Sequence, residues 1–151
     1  MNPTLTFRQA TSADIAEMSR IRLAVRENAL SNPARITPQM YEDYLERRGR
    51  GWVALRDGEI VGFAYGASED GSIWALFVDP RHEGQGAARG LMKLVVEWLF
   101  ALGHERLHLG TQADSRADRF YAAQGWTRGG MIDDCEVAYT LERPPLGRGV
   151  A

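Results

Sequence analysis

Cysteine and lysine are nearly absent from this chain: Cys135 and Lys93 stand alone among 151 residues. A single cysteine excludes an internal disulfide, so a reducing, cytoplasmic setting is the expectation. No apolar run reaches the length needed to cross a bilayer, and no membrane association is expected. Met1-Asn2-Pro3-Thr4 does not lead from a basic segment into an apolar one, so no secretory signal is expected. An excess of positive charge is missing too. A net charge of −2 and a pI near 5.9 leave no electrostatic footprint for nucleic acid. Arginine carries almost all the basic character, and Arg47-Arg48-x-Arg50 reads as a solvated helix end, where cations suit the dipole.

What remains is an ordinary globular composition, 44% hydrophobic and 25% charged, which suffices for one sizeable core. Residues 1–142 read as a single domain and 143–151, rich in Pro and Gly, as a loose tail. Leu5 and Phe7 mark a first strand. Thr11-Ser12-Ala13-Asp14 supplies N-cap chemistry for a helix carrying Ile15, Met18, Ile21, Arg22 and Val25 to about Ala29. Ser31-Asn32-Pro33 breaks it. Thr37-Pro38 starts a second helix, with Met40, Tyr41, Tyr44 and Leu45 on its apolar side and Gly49 and Gly51 at its end. Asp57-Gly58 is a two-residue hairpin signal between strands at Gly51–Leu55 and Ile60–Tyr65. Asp70-Gly71 turns the chain into a strand from Ile73 to Val78. A long helix follows, with Leu91, Val95, Trp98 and Leu102 on one face and Gly103 as its stop. Leu107 and Leu109 mark another strand. Ala117, Phe120 and Tyr121 sit on a short helix closed by Gly125, and Trp126–Met131 and Val137–Leu141 close the order as a strand pair. This alternation of strands and helices predicts a mixed α/β sheet with helices on its faces.

The segment from Val78 to Met92 carries the chemistry. A strand stops at Asp79-Pro80, and a loop of small residues becomes the first turn of the long helix. Bare backbone N–H groups at such a helix start suit a phosphate or pyrophosphate. Gly84-Gln85-Gly86 does not fit a dinucleotide loop, because the third glycine falls at Gly90 and the preceding strand belongs to a hairpin series. The Gly-Lys-Ser/Thr of a P-loop is absent. A tight turn that merely lets helix and strand pack stays open as the plain alternative.

Two motifs in order narrow the choice. The first is Trp74-Ala75-Leu76-Phe77-Val78, Asp79-Pro80 and Glu83-Gly84-Gln85-Gly86-Ala87-Ala88. The second, some thirty residues on, is Ala117-x-x-Phe120-Tyr121-x-x-x-Gly125-Trp126. Together, over roughly Leu5 to Leu141, they make the chain resemble the GNAT superfamily of acyl-CoA-dependent N-acyltransferases. Glu83 departs from the family's loop pattern, in which Arg or Gln is usual. The resemblance implies a single-domain α/β fold with a mixed, mostly antiparallel central sheet, about four flanking helices, and strands splayed at the cofactor site.

The resemblance further implies acetyl-CoA as cosubstrate and no metal. Leu76, Phe77 and Val78 would run beside pantetheine, and a backbone N–H in that strand, such as that of Phe77, would polarise the thioester carbonyl. The amides from Glu83 through Gly84, Gln85, Gly86, Ala87 and Ala88 would hold the pyrophosphate. A primary amine of a small molecule or peptide would attack directly through a tetrahedral intermediate. Tyr121 matches the tyrosine that often protonates the leaving thiolate, with Phe120 as packing. Asp114 stands where an Asn often touches pantetheine or caps the helix, and Ser115 offers an alternative cap.

No carboxylate on the strand Ser72–Val78 offers a general base. His108 has a suitable intrinsic pKa but reads more readily as a surface or satisfied histidine than as a base, and Asp133-Asp134 as a hairpin turn. The resemblance implies an acceptor site between the first two helices and the later strands, which makes Asn28, Arg35, Tyr41, Tyr44, Tyr65 and Trp74 candidates. Arg35 suits a substrate carboxylate. Cys135 has no His nearby in sequence and reads as a strand residue. Relatives are commonly dimers. A non-catalytic acyl-CoA-binding regulatory module is the alternative in another class.

Overall fold

Short turns set the sheet. The computed structural model describes residues 5–24 and 49–143. Strand β1 (Leu5–Gln9) passes through Thr11 and a 3-10 turn (Ser12–Asp14) into helix α1 (Ile15–Ala24). Strands β2 (Gly49–Arg56), β3 (Glu59–Ala67) and β4 (Ser72–Val78) form an antiparallel meander. Then come α2 (Ala87–Ala101), β5 (Arg106–Gln112), α3 (Arg116–Ala123), β6 (Thr127–Met131) and β7 (Glu136–Glu142). The seven strands lie in the order β1-β2-β3-β4-β5-β7-β6. Among the described strands only β4 and β5 run parallel. The mixed, mostly antiparallel sheet expected from the sequence is present. Three α-helices lie among the described residues; the helix expected from Thr37 and the tail beyond Arg143 fall outside them.

The hairpin at Asp57-Gly58 forms because both residues take positive φ, 54° and 80°, as a primed two-residue turn requires. At the next turn, Asp70 Oδ1 accepts from Ser72 N at 3.0 Å and Ser72 Oγ at 2.7 Å. The helix expected to end at Gly49 and Gly51 lies outside the described residues, and both glycines belong to β2. They pair with Ala67 and Tyr65, so ladder hydrogen bonds outweigh the local breaker signal.

Two cores flank the sheet. On one face Leu91, Val95 and Leu99 of α2 pack on Trp52, Ala54, Val61 and Ala64. On the other, Met18 and Ile21 of α1 pack on Val53, Phe63, Tyr65 and Ala75. Leu102, expected on the buried stripe of α2, is 50% exposed, and Leu99 takes that place. The helix ends at Ala101 and Gly103 turns the chain at φ 110°, so the helical period does not extend to Leu102.

Two irregularities of β4 create the site. First, β4 has one extra residue, Trp74, between the pairs Gly66–Ile73 and Tyr65–Ala75. This bulge flips the alternation. Ile73 packs on the α2 face, Ala75 and Phe77 on the α1 face, and Leu76 and Val78 again on the α2 face. Second, β4 pairs with β5 at one position only, Ser72 with His108. Along its other edge β5 pairs through all seven of its residues with β7. The C-terminal half of β4 therefore parts from its parallel neighbour, which is the splay the sequence led us to expect.

Gly90 shows how tightly α2 lies on the sheet. A Cβ there would sit 2.3 Å from Phe7 Cζ and 2.8 Å from Cε1. Overpacking costs about 1–3 kcal/mol, while Gly→Ala in a helix gains at most about 1 kcal/mol. Gly90→Ala is therefore expected to lower Tm by a few degrees in thermal denaturation, against the sign of helix propensity. The glycine that looked misplaced for a dinucleotide loop is a packing residue.

Candidate active site

The parted strands open a cleft of about 310 Å³. Leu76, Phe77 and Val78 of β4 form one wall. The loop residues His82, Glu83 and Gly84 and the helix start Gly86, Ala87, Ala88 and Arg89 form the second. Arg116, Ala117, Phe120, Tyr121 and Gln124 of α3 form the third.

Asp79 fixes the loop. Its buried carboxylate accepts from Arg81 N (3.0 Å), Arg81 Nη2 (3.0 Å) and Arg20 Nη1 (3.4 Å), which ties the loop to α1. The Arg81 guanidinium is the main cause holding the Asp79 carboxyl at about 2. Gly84 and Gly86 take φ of 78° and 93°, where L side chains are strained. Gly86 is the N-cap of α2, and among the described residues no side chain caps that end. Gly90 N donates to Gly86 O at 3.0 Å, so the amides of Ala87, Ala88 and Arg89 precede the first helical bond. These donors, with the positive end of the helix dipole, border the cleft beside His82, whose buried Nδ1 has no hydrogen-bond partner among the described residues. The donor set fits a pyrophosphate.

The structure separates the loop residues named from sequence. Gly84, Gly86, Ala87 and Ala88 line the cleft, as does Glu83. Gln85 does not: its Oε1 accepts from Arg56 Nη1 at 2.5 Å, on the β2 side. Glu83 Oε1 lies 3.2 Å from Arg116 Nη1, an ion pair that spans the two walls.

Tyr121 is 5% exposed and faces both core and cleft. Its ring makes edge contacts with Phe120 (centroids 5.3 Å apart) and Trp126 (5.7 Å). Burial alone pushes the phenol well above its ordinary value, so it keeps its proton. Asp114 is not the helix cap. It sits in the left-handed region at φ 60°, away from the cleft-lining set, and Ser115 Oγ caps α3 by accepting from Asp118 N at 3.1 Å.

Asp118 was not foreseen. Its buried carboxylate accepts from Arg128 Nε and Nη2, both at 3.0 Å, from Asp114 N at 2.8 Å, and from Tyr139 Oη. The Arg128 bonds and the Tyr139 hydroxyl hold its carboxyl far below the usual carboxylate range. One side chain thus pins the start of α3, and with it Tyr121, to β6 and β7. The Ser115-x-x-Asp118 spacing, a capping-box pattern, was the available signal.

The remaining candidates divide. His108 Nε2 lies 3.0 Å from Asp70 O, at the closed end of the β4–β5 pair and outside the cleft. Asp133 Oδ1 accepts from Cys135 N and Glu136 N, both at 2.7 Å, as a turn residue does. Cys135 is exposed. Tyr65 is fully buried, with its Oη 3.8 Å from Met18 Sδ in the core between α1 and the sheet. Trp74 is the bulge residue of β4. Asn28, Arg35, Tyr41 and Tyr44 lie outside the described residues. Among the described residues no helix is long and apolar enough to cross a membrane.

Comparison with known proteins bears on the fold and the family. An uncharacterized N-acetyltransferase of Mycobacterium tuberculosis is 35% identical over 98 residues, covering 62% of this chain and 63% of the relative. The match therefore spans less than two thirds of that relative's length. N-acetylaspartate synthetase of Danio rerio is 30% identical over 105 residues, 64% of this chain and 36% of the relative. Among solved structures, the PaiA N-acetyltransferase of Thermoplasma acidophilum in complex with coenzyme A has a TM-score of 0.82 at 11% identity, covering 93% of this chain and 99% of that one. A putative acetyltransferase of Salmonella typhimurium with acetyl-CoA gives 0.75 at 18%, covering 95% and 96%. At those identities the structural likeness establishes the fold. The acetyltransferase (GNAT) family model matches residues 16–126, and the chain belongs to that family.

Proposed function

We propose that this protein is an acetyl-CoA-dependent N-acetyltransferase that passes the acetyl group directly to a primary amine of a small molecule or peptide. One observation carries the reading. The gap where β4 leaves β5 opens onto the uncapped N-terminus of α2. Bound acetyl-CoA supplies an acetyl group activated as a thioester. The amides from Gly84 to Ala88 hold its diphosphate, and Leu76, Phe77 and Val78 flank the arm that leads from it. Tyr121 keeps a proton at Oη beside the cleft for the departing sulfur. The making of N-acetylaspartate by a relative, as its name states, supports an acceptor of amino-acid size.

The absence of a carboxylate on β4 favours a second reading, an acyl-CoA-binding module without turnover. Calorimetry and thiol release separate the two. The expected result is heat and thermal stabilisation with acetyl-CoA, about 2.7 kcal/mol at a hundredfold excess over Kd, together with amine-dependent thiol release. Tight binding with no release across a broad amine panel selects the regulatory module. No binding at millimolar acetyl-CoA overturns both.

A further inference from the structure

The acidic residue in the phosphate loop calls for a partner, and the structure supplies one. Glu83 occupies the loop position where the family pattern has Arg or Gln, and it is one of the residues that line the cleft. A carboxylate there repels a diphosphate held on the neighbouring amides. Arg116, the first residue of α3, reaches across the cleft and places Nη1 3.2 Å from Glu83 Oε1. Arg116 is more than half exposed and Glu83 about a third. An ion pair that wet adds little to fold stability. Its location between two cleft walls gives it a different use.

We propose that Arg116 binds a phosphate of coenzyme A from the α3 side, taking over the role that position 83 does not fill, and that its pairing with Glu83 neutralises the carboxylate toward the cofactor. This rests on the reading of the cleft as a coenzyme A site. A guanidinium carries five N–H donors in a planar fork, so it can engage a carboxylate and a phosphate together. Arg89, on the opposite helix start, also lines the cleft. The charged walls then carry two cations and one anion, which suits a polyanion despite Glu83.

Titration calorimetry with coenzyme A on four proteins tests this. Arg116→Gln removes the cation and leaves Glu83 facing the phosphate, and is expected to raise Kd by about 10-fold or more. Glu83→Gln is expected to hold Kd or lower it by about 3-fold. The double variant is expected to recover most of the loss of Arg116→Gln, because the carboxylate it would expose is gone. Binding to Arg116→Gln is also expected to depend less steeply on salt. Equal melting temperatures without cofactor for all four show that the fold is not the cause. Dephospho-coenzyme A separates the two phosphate sources: an equal loss assigns Arg116 to the diphosphate, and a loss seen only with coenzyme A assigns it to the 3′-phosphate. A change below about 2-fold for Arg116→Gln overturns the proposal, as does a double variant no tighter than the single one. No heat with the wild-type protein overturns the coenzyme A reading itself, a result distinct from wild-type binding that ignores Arg116.

Discussion

Asp118→Ala is expected to lower Tm by roughly 6–12 °C. The substitution removes a buried carboxylate from four donors, and removing one partner of such a set costs about 3 kcal/mol, each kcal/mol being worth roughly 2–4 °C in a domain of this size. The buried hydroxyl of Tyr139 and the amide of Asp114 lose their acceptor together. Arg128, half exposed, turns to water at little cost. Asp118→Asn keeps an acceptor oxygen and is expected to lose less. The same carboxylates set the acid limb of stability. Asp118 and Asp79 ionise below their unfolded values, Asp79 at about 2, so their contribution is complete above the unfolded carboxylate pKa near 4 and fades as pH falls below it. Denaturant titrations across pH 2–5 are expected to show a shallower acid decline for Asp118→Ala than for the wild type.

Legibility in the sequence followed the range of the interactions. Asp57-Gly58 and Asp70-Gly71 were readable because a turn is decided within two or three residues, by φ and by a side-chain acceptor. The turn at Gly84-Gln85-Gly86 was readable for the same reason: both glycines take positive φ, and only Gln85 separates them. What depends on a distant strand was not. The bulge at Trp74 exists only as a mismatch between β3 and β4, and no local pattern marks it. Two of the side chains that hold Asp118, Arg128 and Tyr139, lie 10 and 21 residues away on β6 and β7. Leu102 continued the helical period past the point where the helix ends, since spacing alone does not see the turn at Gly103. Asp114 and Ser115 are both good caps. The left-handed backbone at Asp114 decided for Ser115. Glu83 showed in sequence as an oddity, and only the arrival of α3 across the cleft reveals Arg116 beside it.

Tyr121→Phe is expected to lower kcat by about 100-fold, the low end for loss of a positioned general acid, while KM for acetyl-CoA stays within about 3-fold. The split follows from where the ring sits. Its contacts with Phe120, Trp126 and Tyr139 are made by the aromatic face and edge, which phenylalanine retains. Fold and cofactor affinity therefore survive, and only the proton at Oη is removed. Burial that raises the phenol has two consequences of opposite sign. It makes the proton harder to give, yet the same dry surroundings raise the basicity of a thiolate released beside it, so the two shifts offset. Burial also keeps Tyr121 protonated through and beyond the ordinary phenol range. A descending limb in kcat below pH 10 would thus belong to another group, and a rising limb from acid to neutral pH would report deprotonation of the acceptor amine. Stopped-time thiol release from pH 6 to 10 on both proteins checks this. Profiles of equal shape, displaced by the hundredfold factor, are the expected result. An unchanged kcat in the phenylalanine variant removes Tyr121 from the chemistry and leaves it as part of the core that β7 and α3 share.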